Sequence, residues 1–358
     1  MTQDVFRKLQ KQLDQYSLGF PATESGIEIE ILKRLFSEQD VHMFLNLTPL
    51  LETPEKIAGR LNQPVDEVNE RLVDMASRGL LFSLKRGDRI KYGAIPFVHG
   101  LYEFQTTRID HDLAVILKKY LDEEFEQALL DSSESFLRTI PVQHSLAVKH
   151  NVAPYEDASE ILKKAKKIVV TDCMCRKSAG LIDQGCGKPL EVCFMFGSMG
   201  QYYLDHNMGR ELGVDEALEI LLQAQEAGLV TQPASSRNPK GMCNCCGDCC
   251  GPLTALNHQP NPAEIVFSNH FAVVDRDLCS SCEICVDRCQ MEAITMDDEN
   301  IAAVNLQRCI GCGLCVITCA DEALMLMPKP ADQRQTPPAN TGEQMLSMAM
   351  KRGVSLEF

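Results

Sequence analysis

Apolar residues recur at helical spacing through most of the N-terminal two thirds of the chain, broken by one short stretch of two-residue alternation. Residues 1–20 read as an amphipathic helix that stops near Gly19-Phe20-Pro21. Ile27, Ile31, Leu32 and Leu35 put an apolar side on a second helix. At Thr53-Pro54-Glu55 an N-cap precedes proline at the first helical position, and Ile57, Ala58 and Leu61 supply the inward side. Pro64 opens the next helix, with Val65, Val68, Leu72 and Met75 inward and Gly79 as its stop. The period then changes. Leu80–Leu84 and Arg89–Tyr92 flank Arg86-Gly87-Asp88, which predicts a β-hairpin. Residues 95–170 return to helical spacing, with Leu113, Ile116, Leu117, Leu121, Phe125 and Leu129 on one side and a further helix near Tyr155–Lys167. A short apolar strand, Ile168-Val169-Val170-Thr171, delivers the chain to Cys173, and Val214–Leu229 gives a helix closed by Gly228. Pro328–Asn340, with Pro328, Pro330, Pro337 and Pro338, reads as a linker or disordered arm before a short docking helix over Glu343–Arg352.

This mixture places the chain in the α+β class. Its 358 residues are enough for two or three domains with a real core. The expected division is a winged-helix-like domain over 1–100, a helical and cysteine-rich middle domain over 101–262, a cysteine-repeat domain over 263–328, and a linker and tail over 329–358. The order helix, turn, helix, hairpin across residues 53–94 resembles a winged helix-turn-helix domain. A recognition helix needs an outer face of cations for phosphates and base edges. Here that face carries Asp66, Glu67, Glu70 and Asp74, with Arg71 and Arg78 against them, and the basic hairpin (Lys85, Arg86, Arg89, Lys91) is a solvated turn. A packing or docking role is the expectation, and no nucleic acid is expected as a partner. The formal charge of −15 points the same way.

Composition becomes unusual only at cysteine, with 17 in the chain. Met1-Thr2-Gln3-Asp4 opens a charged segment without a secretory apolar region, and no run approaches transmembrane length. A reducing, cytoplasmic setting is therefore expected, where metal clusters outweigh disulfides.

Cys279-x2-Cys282-x2-Cys285-x3-Cys289 is followed thirty residues on by Cys309-x2-Cys312-x2-Cys315-x3-Cys319. The period extends past the cysteines: Asp275 matches Asn305, Glu292-Ala293-Ile294 matches Glu322-Ala323-Leu324, and Met296 matches Leu326. A shared period marks a duplicated unit. Zinc would call for paired Cys-x2-Cys knuckles, without the third x2 step and the x3 step. The stretch resembles the bacterial dicluster ferredoxin domain. The resemblance implies one [4Fe-4S] cluster on Cys279, Cys282, Cys285 and Cys319 and another on Cys309, Cys312, Cys315 and Cys289. It also exposes a departure, because Gln290 and Ala320 stand where the family usually has proline. Ten Asp and Glu against three Arg between Ile265 and Met327 make the segment acidic, either as a solvated surface or to steer a basic redox partner.

The nine cysteines outside these runs are Cys173, Cys175, Cys186 and Cys193, then Cys243, Cys245, Cys246, Cys249 and Cys250. Neither group copies a ferredoxin spacing. Adjacent cysteines do not easily face one cubane, so Cys245-Cys246 and Cys249-Cys250 point to ligands serving two sites, or to spare thiols. One or two additional iron–sulfur clusters are expected, with Cys173, Cys175, Cys186 and Cys193 as one ligand set. The other readings are a zinc site on four of the nine, and thiols that only pack. The eight histidines show no metal-ligand spacing and read as structural or surface residues. Residues 20–327 resemble a family of 4Fe-4S-binding, ferredoxin-like proteins of anaerobes. The resemblance rests on Leu32–Tyr92, Cys173–Arg176, Cys243–Cys246 and Cys279–Cys319, and it implies electron transfer. The function expected is a multi-cluster carrier that relays single electrons between redox enzymes. Its alternatives are an oxidoreductase subunit with a catalytic middle-domain site, and a redox-sensing regulator. No glycine fingerprint for flavin or nicotinamide is present.

Overall fold

The computed structural model describes residues 2–142 and 153–354. Helices α1 (Thr2–Leu13), α2 (Ile27–Leu35), α3 (Glu38–Phe44), α4 (Pro54–Leu61) and α5 (Val65–Ser77) lead to an antiparallel hairpin of β1 (Phe82–Arg86) and β2 (Arg89–Gly93). Gly79 ends α5 at φ +72°, a conformation that costs glycine little. Glu52 bridges Tyr92 and adds a third segment beside the hairpin. Ser37 and Asp40 form a reciprocal cap on α3. The Asp40 carboxylate also pairs with Arg71 and Arg78, and Arg78 bonds Asp74 as well.

Helix α6 (His111–Tyr120) runs through one wide turn into α7 (Glu126–Phe136). A single core joins Phe6, Leu32, Phe44, Leu72, Phe97, Leu117, Phe125 and Tyr203, and so runs across residue 100 without a break.

After α8 (Ala158–Lys164) the chain builds an antiparallel sheet from β3 (Ile168–Asp172), β4 (Glu191–Phe196), β5 (Arg210–Leu212), β6 (Val230–Pro233) and β7 (Gly241–Cys245), in the order β5-β3-β4-β7-β6. Helices α9 (Met174–Leu181), α10 (Gly197–Asp205) and α11 (Val214–Glu226) connect them. Side chains alternate between the sheet's faces. Ile168, Val170, Val192, Phe194 and Met242 pack with Ala217, Leu221 and Ala224 of α11. Val169, Cys193 and Met195 face the N-terminal core instead.

Helices α12 (Gly251–Asn257) and α13 (Pro262–Ile265) lead to the C-terminal repeat. There β8 (His270–Val274) pairs with β11 (Leu324–Pro328), and β9 (Ile294–Met296) pairs with β10 (Ala302–Val304), with α14 (Ile284–Arg288) between. The duplication is written into the backbone. Asp275 N–H donates to the Ala323 carbonyl at 2.7 Å, and thirty residues away Asn305 N–H donates to Ala293 at 2.7 Å. Glu292 and Glu322 share a left-handed backbone, at φ +51° and +53°.

The final segment is held against the rest of the chain, and the short helix expected over Glu343–Arg352 is present as α15 (Thr341–Lys351). Asn269 holds Gln335 by both backbone groups, Arg237 N–H donates to Pro338, and α15 packs on α7 with Met348 buried. Its apolar side has a ready receptor in the chain's own N-terminal core, so the prolines steer the segment rather than free it. Among the described residues no helix is long and apolar enough to cross a membrane.

Candidate metal centres

The C-terminal repeat encloses two cavities. Cys279, Cys282, Cys285 and Cys319 line one of about 370 Å³, together with Ile284, Ala302 and Leu324. Cys289, Cys309, Cys312 and Cys315 line another of about 360 Å³ with Met291, Ile294 and Ile310. The structure thus brings together the two crossed sets that the resemblance implies. The cavities differ in setting. Cys282 is exposed beside half-exposed Leu278 and Ile284, whereas burial pushes the Cys312 thiol up to about 12. The Ala293 and Ala272 amides donate to the sulfurs of Cys289 and Cys309, at 3.2 and 3.4 Å. Four convergent sulfurs and an apolar wall fit a cubane at each position, and at the second the two amide donors add to the fit.

The structure divides the middle cysteines along a line that their order in the chain hides. Cys173 caps α9 and Cys175 lies in its first turn; Cys193 is on β4, Cys243 and Cys245 on β7, and Cys250 caps α12. All six line one buried cavity. Each meets two others in a closed circuit, Cys173 to Cys175 to Cys250 to Cys245 to Cys243 to Cys193 and back. The mutual influence of these thiols holds Cys173, Cys243 and Cys250 below the usual thiol range, with Cys250 brought down to about 5. It pushes Cys175, Cys193 and Cys245 above that range.

Cys186 belongs elsewhere, although sequence order places it with Cys173, Cys175 and Cys193. Its sulfur lies 3.7 Å from that of Cys246, and with Cys249 the three ligand atoms fall within 4.8 Å of one another. Two physical reasons produce the split. Period-two alternation sends Cys243 and Cys245 to one side of β7 and Cys246 past it to the other. The loop after α9 is then tied to the Cys246–Cys250 turn by Lys188, whose ammonium meets Asp248 at 2.7 Å. Adjacent cysteines therefore lie in different groups.

Arg176 lies between the two groups and is buried. Its guanidinium donates to the carbonyls of Pro189 and Asn244 at 2.9 and 3.0 Å and approaches the Cys246 sulfur at 3.8 Å. Nη2 is buried without a hydrogen-bond partner. Neighbouring thiolates hold this cation charged against its burial. A buried cation with an unspent donor fits an anionic cofactor on those sulfurs.

Sequence reasoning missed His99, Tyr102, Glu103 and Tyr203, which also line the six-thiol cavity. His99, read as structural or surface, hydrogen-bonds Cys243, and Tyr102 hydrogen-bonds Cys175. Burial raises Glu103 to about 7, and its carboxylate accepts from Gly100 N–H at 3.0 Å. No spacing marked His99, whose backbone is left-handed at φ +58° in a kink between two helical turns.

The C-terminal repeat is joined to the middle cysteines through the residue that replaces the family's proline. Gln290 accepts from Gly247 N–H at 2.8 Å, and its carbonyl accepts from Asn257 at 2.9 Å. A Cβ at Gly247 would stand 2.9 Å from that carbonyl, so only glycine fits the contact.

Residues 278–324 match the family model of the 4Fe-4S dicluster domain. No curated protein and no solved structure matches the chain. With the dicluster domain placed, its relation to the middle thiols becomes a matter of packing. Cys285, Cys289, Cys309, Cys315 and Cys319 share one apolar cluster. Cys289, Cys309 and Cys312 share a second with Cys243, Cys245 and Cys250.

Proposed function

We propose that the chain is a multi-cluster electron-transfer protein that relays single electrons between partner redox enzymes. The packing continuity carries this reading: apolar contacts lead from Cys279 and Cys285, whose site opens to solvent at Cys282, through the buried second dicluster site, to the six-thiol cavity. Bound clusters supply one-electron chemistry with little rearrangement. The chain's residues hold the sulfurs, donate amides to them and exclude water progressively along that line. The Cys186, Cys246 and Cys249 triad supports a single metal ion. A tetrahedral ion with metal–sulfur bonds of about 2.3 Å spaces its sulfurs about 3.8 Å apart, close to the 3.7 Å found between Cys186 and Cys246. Zinc with a fourth, non-cysteine ligand meets that requirement.

Asp277, Glu283, Asp321 and Glu322 are exposed in the same domain as Cys282, Leu278 and Ile284, which supports docking of a basic partner on an acidic rim with an apolar centre. Electron transfer from the reduced protein to a basic cytochrome should slow roughly tenfold between about 0.05 and 0.5 M salt. A small neutral acceptor should show little change. Equal slopes for both acceptors would remove the steering argument.

The N-terminal part is proposed as a winged-helix-like docking module. Arg71 on α5 and Arg78 just past its end are engaged by Asp40, and Tyr202 of α10 donates its hydroxyl to Leu81 at 2.9 Å, fixing the part to the cysteine sheet. Selection from random DNA duplexes with the full chain should return no consensus. A salt-sensitive site recovered in that selection would favour the redox-sensing regulator instead.

A further inference from the structure

We infer that the six-thiol cavity holds one cluster larger than a cubane: two cubane halves joined through a shared sulfide, with Cys173, Cys175, Cys193, Cys243, Cys245 and Cys250 as its six protein ligands. The inference rests on the relay reading in requiring an iron–sulfur protein, and goes beyond it in naming the cofactor.

Two observations meet here. The first is ligand number. A cubane takes four thiolates, so one cubane would leave two buried thiols with nothing to bind. Two separate cubanes would need about eight. Joining them through one sulfide satisfies one iron of each half, which leaves about six irons to be met by thiolates. Six are present, and Cys186, Cys246 and Cys249 form their own group apart.

The second observation is size, for which the molecule carries its own standard. The spaces at the two dicluster sites come to about 370 and 360 Å³, their open mouths included, each with the four sulfurs one cubane needs. The space among the six thiols, taken the same way, comes to about 760 Å³, about twice as much. Its remaining wall is largely apolar, with Val98, Phe125, Leu129 and Met195. Polar contact with the sulfurs comes from His99 on Cys243 and Tyr102 on Cys175, on different segments of the circuit. Buried Arg176 supplies positive charge next to it.

The test is the metal and sulfide content of the full-length chain isolated without oxygen, combined with alkylation of its free thiols before unfolding. About sixteen irons and about seventeen sulfides per chain are expected, with none of the six thiols alkylated. About twelve irons with two of the six modified would overturn the inference and leave a third cubane. Zinc or copper bound to the six would overturn it too. In Cys193→Ser and Cys245→Ser, iron should fall by up to about eight while the dicluster signals persist, which also shows that the variants have folded. Either variant keeping its full iron would count against a six-ligand cluster. Loss of the dicluster irons in the unmodified chain would instead strike at the relay reading, so the two failures are distinct.

Discussion

Replacing Cys289 with alanine is expected to remove the cluster built on Cys309, Cys312 and Cys315 and to leave the one on Cys279, Cys282, Cys285 and Cys319. The cavity linings set this expectation, because the last cysteine of the first run faces the sulfurs of the second. Iron should fall by about four per chain, with one of the two ferredoxin-type signals gone. Because Cys289 also packs with Cys243, Cys245 and Cys250, the surviving outer cluster should be reduced normally but lose its route inward. Single-turnover transfer to the middle site should therefore fall by at least about tenfold, roughly what 1.4 kcal/mol of barrier does. Spectra in which the Cys279-centred cluster vanishes and the other survives would refute the crossed arrangement.

Arg176→Met should have the larger effect on stability. The substitution approximates the side chain's length but leaves the Pro189 and Asn244 carbonyls without their donor and removes the cation beside Cys246. Breaking a buried charged pair on one side typically costs 3–5 kcal/mol, about half of an ordinary domain's stability. Metal should be lost from both middle sites, because the guanidinium touches the triad and offsets the charge of Cys173 and Cys193. The eight dicluster cysteines are untouched, so their signals act as an internal control. A variant with its full metal content and an unchanged denaturation midpoint would show that Arg176 only fills space.

What could be read from the chain alone followed how local the signal was. The thirty-residue repeat is short-range chemistry, and it reappears as paired backbone bonds at Asp275 and Asn305. Thr53-Pro54 and Gly79 bracket α4 and α5 for the same reason, since caps and stops act within a turn. The grouping of the middle cysteines was not legible, because it depends on pairing between β4 and β7, strands almost fifty residues apart. Sequence order put Cys186 with Cys193; the register of a distant strand put it with Cys246. His99 escaped for a related reason. Its neighbour Cys243 is far along the chain, and a lone histidine carries no spacing to read. The short docking helix at the end was legible and stands as α15 on α7, but where the proline-rich segment before it is held was not, because proline content reports local stiffness and says nothing of whether a surface waits to receive the segment.

The alternation along residues 243–250 also bears on how the protein matures. One loop sends Cys243, Cys245 and Cys250 to one side and Cys246 and Cys249 to the other, so its backbone is common to both cysteine groups. If both groups hold metal as proposed, filling either would fix the loop conformation that the other requires, and emptying either would release both. For the machinery that delivers iron and sulfide, the middle of this chain is then a single cargo bay, and partly loaded intermediates are the species it has least reason to accumulate.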